Sequence, residues 1–228
     1  MLHLPAPKVA AYQEGLLGWY RRGRRRFSWR DRQRSAYQTL VAEMMLRKTD
    51  AAKVERVYPQ FLERYPTLQA LAEADEAALR GEIQLLGIAD RARLLRLTAQ
   101  AILGEHGGKV PRSEEALRRL PGVGRYTANA VLCFAYRRDV PLLDTNVIRV
   151  IGRVFGVWSS KPRAREDRDL WDFAGRLVPP GKAVTYNRAV LDFAASVCTF
   201  SAPRCSACPL LSLCEYGQAD LGSRDRSA

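Results

Sequence analysis

Four cysteines lie close together near the end of the sequence, where their side chains could bind a metal. They are Cys198, Cys205, Cys208 and Cys214, in the spacing C-x6-C-x2-C-x5-C. Thiolates suit soft metal centres, so zinc and an iron–sulfur cluster are both candidates, and disulfide bonds are a third alternative. Four-cysteine zinc sites usually contain two short C-x2–4-C pairs, whereas this segment contains one. The spacing alone leaves zinc and iron–sulfur chemistry open.

A glycine-rich turn in the middle of the chain is typical of a phosphate-binding site. Gly122 and Gly124 lie in the segment RRLPGVGRYTANAV, between two stretches with helical character. Glycine lets the backbone turn tightly and approach a ligand, and the amides at the start of the following helix favour an anion. Arg125 adds a positive charge at the same place. These residues predict a grip on a DNA backbone, although a plain turn between two helices would look similar.

Asp144 is a carboxylate directly before the helical segment TNVIRVIGR. On these residues alone it is best interpreted as an N-cap, because an aspartate oxygen accepts hydrogen bonds from the first N–H groups of a helix. A carboxylate in such a place can also stabilise positive charge that develops on a substrate. The two roles are compatible.

The elements that must hold these residues are predicted to be helices almost throughout. Apolar residues recur every three or four positions in LQALAEADEAALRGEIQLLG and LWDFAGRLV, and no long run of alternating β-branched residues occurs. Thr67 and Ser113 have the residue types and positions of N-caps. Pro121 ends the helix that Ser113 begins, because proline cannot continue a helix. The fold class is therefore predicted to be all-α.

The charge of the chain indicates its binding partners. There are 37 Lys and Arg residues against 24 Asp and Glu, a net charge of +13, and the densest basic run is YRRGRRRFSWR at residues 20–30. Such a charge favours nucleic acid or an anionic membrane surface, although a solvated basic face explains the run alone equally well. No apolar stretch approaches the roughly 20 residues of a membrane-spanning helix, and no secretory signal is recognisable. We therefore expect a cytoplasmic, nucleoid-associated protein, in which stable disulfide bonds would be rare.

Three segments, in this order, resemble the helix-hairpin-helix (HhH-GPD) DNA glycosylases of the endonuclease III and adenine-glycosylase type. The first is FSWRDRQRSAYQTLVAEMMLRKT, the second is LPGVGRYTANAV followed by Asp144 in VPLLDTNVIRVIGRVFG, and the third is TYNRAVLDFAASVC with the cysteines after it. The resemblance covers residues 27–216, nearly the whole chain. It implies an enzyme that flips a base out of duplex DNA and hydrolyses its N-glycosidic bond.

The resemblance also implies a two-lobed all-α fold with DNA held in the cleft between the lobes. Residues 28–137 would form a six-helix barrel lobe that contains the helix-hairpin-helix, and residues 1–27 and 138–228 would form the second lobe. In this family the cysteine pattern of the second lobe holds a structural [4Fe–4S] cluster, which favours iron–sulfur over zinc. The fifth cysteine, Cys133, lies on the apolar face of a helix and is expected in the core.

Four residues match catalytic positions of the family. Asp144 matches the carboxylate that stabilises the positively charged sugar. Glu43, in LVAEMMLRKT, resembles the glutamate that protonates a leaving purine in adenine glycosylases, or is a polar residue at a helix surface. Asn187 resembles an asparagine that hydrogen-bonds the catalytic aspartate, and Asn146 is a weaker candidate for that bond. Tyr126 stands where family members that also cleave the strand carry a lysine, so the enzyme is predicted to be monofunctional and to leave an abasic site.

The identity of the base is predicted from departures within the resemblance. Adenine glycosylases have a glutamine pair where this chain has Arg47 and Lys48, and a tyrosine wedge where it has Ile88. Those that recognise oxidised guanine also carry a further C-terminal domain. Arg47, Lys48 and Ile88 are all expected to contact DNA. With these departures, the sequence resembles the mismatch thymine glycosylases more than the adenine glycosylases. Thymine or uracil opposite guanine is therefore the predicted target, and Glu43 would hydrogen-bond the edge of the base.

Three alternatives remain. The enzyme would act on mispaired, methylated or deaminated adenine if Glu43 protonates the base. It would be an endonuclease III-like glycosylase and lyase if an amine such as Lys48 attacks the sugar. The protein would otherwise be a non-catalytic DNA-binding protein with a redox-sensing cluster. The expected partner is double-stranded DNA with a damaged or mispaired base. The protein is expected to be a monomer and to bind no membrane.

Overall fold

The structure is a computed structural model that describes residues 4–31, 33–88 and 90–224. Within these ranges it contains twelve α-helices and no strand, so the predicted all-α fold class is confirmed. None of the described helices is long and apolar enough to cross a membrane. The helices are α1 Ala6–Arg22, α2 Ala36–Leu46, α3 Ala51–Arg64, α4 Leu68–Ala72, α5 Glu76–Ile83, α6 Arg91–His106, α7 Glu114–Arg119, α8 Arg125–Phe134, α9 Thr145–Phe155, α10 Arg168–Arg176, α11 Ala183–Ser196 and α12 Glu215–Arg224.

The chain divides into two compact units. One consists of the residues up to Arg25 together with those from Asp139 onward, and it contains α1 and α9–α12. The other is the continuous segment Arg26–Arg138, which contains α2–α8.

The unit that contains α1 and α9–α12 has an aromatic core that extends to the cysteine segment. The ring of Tyr12 packs edge-on against Phe155, with centroids 5.1 Å apart, and its hydroxyl group lies 3.5 Å from that of Tyr186. Cys198 and Cys214 are buried in the same core. Burial of apolar surface contributes roughly 25 cal/mol per Å² to the free energy of folding. Here it holds Cys198 and Cys214, the two ends of the cysteine segment, in place.

The Arg26–Arg138 unit is built around α2. Ser35 and Gln38 start this helix with a capping box, in which each side chain accepts a hydrogen bond from the backbone of the other residue. Every residue from Thr39 to Met45 is buried, and α3, α6 and α8 pack against the helix. A side chain on α2 is therefore held in a packed environment.

Two predicted N-caps are confirmed in this unit. Thr67 Oγ1 accepts a hydrogen bond from Ala70 N at 3.1 Å, and Ser113 Oγ accepts one from Ala116 N at 3.3 Å. These bonds satisfy N–H groups that the first turn of a helix leaves unpaired. They set the starts of α4 and of α7, the helix that precedes the glycine-rich turn.

Candidate functional site

The four thiols of residues 198–214 lie within electrostatic reach of one another. Burial, together with the nearby thiols of Cys214, Cys198 and Cys205, raises the pKa of the Cys208 thiol to about 11, against the opposing effect of the Leu210 backbone N–H. That N–H donates to Cys208 Sγ at 3.4 Å. None of the cysteines in the described part of the chain forms a disulfide bond. The segment thus brings together four free thiols.

Further donors face two of the sulfur atoms. Gly217 N–H donates to Cys214 Sγ at 3.3 Å, and Arg153 Nη1 lies 3.6 Å from Cys198 Sγ. Arg153 also donates to the carbonyl groups of the two residues that follow Cys198, at 2.6 and 2.8 Å. N–H donors and a nearby cation stabilise a thiolate. Cys214 and Cys198 thus each have a hydrogen-bond donor beside the sulfur atom.

Among the described residues, no group of three His, Cys, Asp or Glu side chains is placed to hold one ion. A tetrahedral zinc ion has Zn–S bonds of about 2.3 Å, so the sulfur atoms around it lie about 4 Å apart. An iron–sulfur cluster binds each thiolate through a different iron atom and accepts wider separations.

Asp144 is the N-cap of α9, as its position in the sequence predicts. Its Oδ1 accepts hydrogen bonds from the backbone N–H groups of Asn146 and Val147, at 2.9 and 2.8 Å. Its Oδ2 accepts a third bond, from Asn146 Nδ2 at 3.0 Å. Arg149 in turn donates to Asn146 Oδ1 at 2.9 Å and to the carbonyl of Cys198 at 3.0 Å. The carboxylate is therefore fixed in orientation, and a chain of hydrogen bonds joins it to the backbone carbonyl of Cys198.

Asn187 is completely buried on α11 and holds the backbone that leads to Asp144. Its Oδ1 accepts a hydrogen bond from Leu142 N at 3.0 Å, and its Nδ2 donates to Val140 O at 2.9 Å. The resemblance implied that this asparagine bonds the aspartate itself. In the structure Asn146, the weaker candidate, donates to the Asp144 carboxylate, and Asn187 fixes the approach to it.

Gly122 is required by the fold of the hairpin between α7 and α8. Its φ is +75°, in the left-handed region that glycine adopts without strain, and an added Cβ would lie 3.2–3.3 Å from the Leu94 side chain. Its carbonyl accepts a hydrogen bond from Arg47 Nη1 at 2.8 Å, and the preceding carbonyl, of Pro121, accepts one from Thr98 Oγ1 at 2.6 Å. The hairpin is thus anchored on both sides.

Gly124 is not explained by packing. No atom of another described residue lies within 4 Å of an added Cβ, and the residue does not have a positive φ. It is the N-cap of α8, where no side chain in the described part of the chain caps the helix. The first N–H groups of an uncapped helix attract anions. The absence of a side chain at Gly124 leaves room for a phosphate to reach them.

Arg125 and Tyr126 open α8 directly after this glycine. Arg125 Nε lies 3.2 Å from Glu114 Oε1, and the same carboxylate oxygen is 3.2 Å from Arg118 Nη1. Tyr126 is half-buried. The Arg125 side chain, expected to face a DNA phosphate, thus shares its charge with an acidic residue of α7.

Two turns of the same unit carry the other predicted DNA contacts. Arg47 and Lys48 follow α2, and both are exposed. Ile88, the predicted wedge, is 36% exposed, and Leu85 is 38% exposed. Leu85 was not among the predicted DNA contacts. The pair of leucines in QLLGI could have indicated an exposed apolar residue at this turn, since only Leu86 is buried, at 4%.

Glu43 lies on the central helix α2 and is 4% exposed, so the alternative of a residue at a helix surface is wrong. Burial raises the pKa of nearby Tyr58; the Arg34 cation opposes that shift, and the Glu43 carboxylate adds to it. Carboxylates are seldom this deeply buried. Glu43 is therefore a candidate for a chemical role.

The predicted residues are divided between the two units. Glu43, Tyr126 and the expected DNA contacts belong to Arg26–Arg138, where the hairpin is joined to the Arg47 turn. Asp144, Asn187 and the four cysteines belong to the other unit. Each unit thus brings together one part of the expected site.

Comparison with known proteins assigns the family. A family profile described as HhH-GPD superfamily base excision DNA repair protein matches residues 41–175. A thymine/uracil-DNA glycosylase of Pyrobaculum aerophilum is 43% identical over 203 residues, which cover 87% of this chain and 88% of that protein. An adenine DNA glycosylase of Mycolicibacterium smegmatis is 41% identical over 204 residues, which cover 90% of this chain and 69% of that protein.

The fold agrees with that of a solved relative. The structure of a thermostable thymine-DNA glycosylase matches with a TM-score of 0.88 and 33% sequence identity, and the match covers 93% of this chain and 98% of that chain. The family profile spans more than half of the sequence, and the matched relatives cover most of it. The chain belongs to the HhH-GPD superfamily of base excision DNA repair proteins.

Proposed function

We propose that this protein is a monofunctional DNA glycosylase that removes thymine or uracil opposite guanine and leaves an abasic site. The observation that carries the proposal is the Asp144 carboxylate, held by three N–H donors at the start of α9. The similarity to a thymine/uracil-DNA glycosylase and to the structure of a thymine-DNA glycosylase supports the choice of base.

Excision needs a negative charge close to the sugar of the flipped nucleotide. The bond between C1′ and the base breaks, its electron pair leaves with the base, and positive charge builds on the sugar. Water then supplies hydroxide to C1′ and a proton to the base. Asp144 Oδ1 is engaged by two backbone N–H groups and Oδ2 by one side chain, so Oδ2 would face the sugar. An oriented carboxylate stabilises this charge without reorganising during the reaction.

The buried Glu43 side chain would contact the base. Thymine and uracil have no basic N7, so Glu43 would hydrogen-bond their polar edge. A second candidate function follows from the same observation, because a buried carboxyl group can protonate a leaving purine. The similarity to an adenine DNA glycosylase supports that alternative.

Tyr126 accounts for the proposed monofunctional chemistry. Strand cleavage requires an amine that attacks the sugar and forms a Schiff base, and tyrosine has no amine. Lys48 is the nearest alternative amine in the motif, on the turn after α2. We propose that neither residue forms a covalent bond with DNA.

Cys198, Cys205, Cys208 and Cys214 would hold a [4Fe–4S] cluster. The closeness of the four thiols and the N–H donors at the sulfur atoms support this proposal. When bound, the cluster supplies iron–thiolate bonds that join the two ends of the segment. Its role would be structural, since no step of base hydrolysis needs an electron.

The glycine-rich hairpin would grip the phosphate backbone, and a matched pair of variants tests this role. Gly122→Ala should destabilise the protein by at least about 1 kcal/mol, because of the positive φ and the contact with Leu94. Gly124→Ala should destabilise the protein less than Gly122→Ala, because an added Cβ meets no described atom and only the N-cap preference for glycine over alanine is lost, yet it should weaken DNA binding severalfold. Thermal melting and a DNA titration of both variants measure the difference. Unchanged DNA affinity in Gly124→Ala would contradict the proposed grip.

Single-turnover excision on a panel of duplexes tests the proposed function. The panel contains thymine and uracil opposite guanine, adenine opposite guanine or oxidised guanine, and methylated or deaminated adenine. We expect release of thymine and uracil opposite guanine, with strand breaks only after treatment with alkali. Activity confined to adenine-type bases would make Glu43 the acid for the leaving group and contradict the proposed target. Strand cleavage without alkali, or a borohydride-trapped adduct, would contradict the monofunctional mechanism.

A further inference from the structure

Arg91, the first residue of α6, is a buried arginine to which the proposed function gives no role. It is 3% exposed. Its guanidinium donates to three oxygen atoms: Leu86 O from Nη1 at 3.0 Å, and Arg47 O and Thr49 Oγ1 from Nη2 at 2.6 and 2.8 Å. All three acceptors are neutral, and no ion pair found in the described part of the chain includes Arg91.

A buried cation without a carboxylate partner is unfavourable for folding. Burial, with a contribution from the nearby Arg47 cation, lowers the pKa of Arg91 to about 10, so the group is still charged at neutral pH. An apolar side chain of similar size could fill the same space without burying a charge. The guanidinium is distinguished by its rigid fork of donors, which here bonds acceptors on two separate turns.

One of these turns has a strained backbone. Lys48 has a φ of +52°, in the left-handed region that residues other than glycine rarely adopt. Arg91 bonds the residue before Lys48 and the residue after it. Strained conformations persist only where the surrounding structure fixes them, and they are frequent at ligand-binding positions. Arg91 supplies such a constraint from both sides.

The second turn carries exposed apolar side chains. Arg91 bonds the carbonyl of Leu86, and the Thr49 hydroxyl lies 3.2 Å from the same carbonyl. Leu85 and Ile88, on either side of Leu86, are both exposed. Through these bonds, the apolar pair and Lys48 have a fixed spacing within one unit.

We propose that Arg91 is a positioning residue for base flipping. It locks the Arg47–Thr49 turn to the Leu85–Ile88 turn, so that Lys48 and the apolar wedge meet the duplex in a fixed arrangement. The inference rests on the proposed function, since it takes these turns as DNA contacts. An apolar wedge fills the space that a flipped base leaves, and a wedge already in position loses less conformational freedom on binding. Arg91 itself is buried and acts only through the two turns.

Measuring the affinity for two duplexes tests this role of Arg91 without any excision. We call the hydrogen bonds from Arg91 to the two turns the clamp. One duplex carries a tetrahydrofuran abasic-site analogue opposite guanine, and the other is fully paired. In Arg91→Lys the charge is kept and the fork of donors is lost, so affinity for the paired duplex should be unchanged. The ratio of the two affinities should fall at least about tenfold. Thr49→Val, which removes one acceptor of the clamp, should lower the ratio by a smaller factor. Arg93→Lys, at an exposed position of the same helix, should not change it.

The outcomes separate the clamp from a structural role and from the proposed function. A ratio that stays unchanged in folded Arg91→Lys, or affinities that fall equally on both duplexes, would overturn the proposal. If Arg91→Lys does not fold, an unchanged ratio in Thr49→Val would overturn it. A wild-type ratio near one would also do so, because no lesion-specific binding would exist to support. A lowered ratio in an enzyme that does not excise thymine or uracil would leave the clamp standing and refute the proposed target.

Discussion

Replacing Asp144 by asparagine should stop base excision while the protein stays folded and binds DNA. Asparagine is as good an N-cap as aspartate, so its side-chain oxygen can still accept the Asn146 and Val147 N–H groups that Oδ1 accepts now. The negative charge is lost, together with the bond that Oδ2 accepts from Asn146 Nδ2, because an amide NH2 group is only a donor. Removing a group that stabilises transition-state charge typically lowers a rate by about 10²–10³-fold, and we expect a loss at least that large. Single-turnover excision and a DNA titration of the same preparation measure the two effects.

Asp75→Asn is the matched control for this prediction. Asp75 is the N-cap of α5, where its Oδ1 accepts a hydrogen bond from Ala78 N at 2.8 Å. The chemical change is the same, but no catalytic role is proposed there, so excision should be unchanged. Full activity in Asp144→Asn would mean that Asp144 serves only as an N-cap. A wild-type protein that binds DNA but excises no base would instead favour the non-catalytic alternative.

Features that depend on a few consecutive residues could be predicted from the sequence. Thr67 and Ser113 each accept a hydrogen bond from the backbone N–H group three residues further on, and Asp144 caps α9 in the same way. The positive φ of Gly122 follows from a tight turn between two helices. In each case the bond or the strain lies within one turn of chain, so the local pattern determines it.

Contacts between distant segments could not be predicted. Arg47 bonds the hairpin 75 residues further on, and Asn187 bonds backbone groups 45 and 47 residues before it. Neither partner carries a signal in its own sequence, because any residue offers a backbone carbonyl or N–H. The burial of Glu43 could not be predicted either. Because α2 is buried along most of its length, its sequence shows no polar face that would distinguish exposed from buried positions.

The second large effect is the loss of the proposed iron–sulfur cluster when one of its four cysteines is replaced, and Cys133 supplies the control. Purified wild-type protein should contain iron and acid-labile sulfide in equal amounts, and Cys208→Ala should lose most of both. Because binding of a metal centre by cysteines contributes directly to folding, this variant should also lose several kcal/mol of stability. Cys133→Ala changes a buried thiol of α8 that has no proposed ligand role. It should keep the wild-type iron content.

Metal analysis and thermal melting of the three proteins decide between the remaining centres. One zinc per chain without sulfide would contradict the cluster and leave the four-cysteine ligand set intact. Full iron and sulfide in Cys208→Ala would contradict the ligand set itself. The pKa values of the Cys208 and Cys214 thiols both respond to the neighbouring thiols, so the four thiols lie close together. A [4Fe–4S] cluster would bind each of the four thiolates through a different iron atom, so the loss of one ligand should release the whole centre.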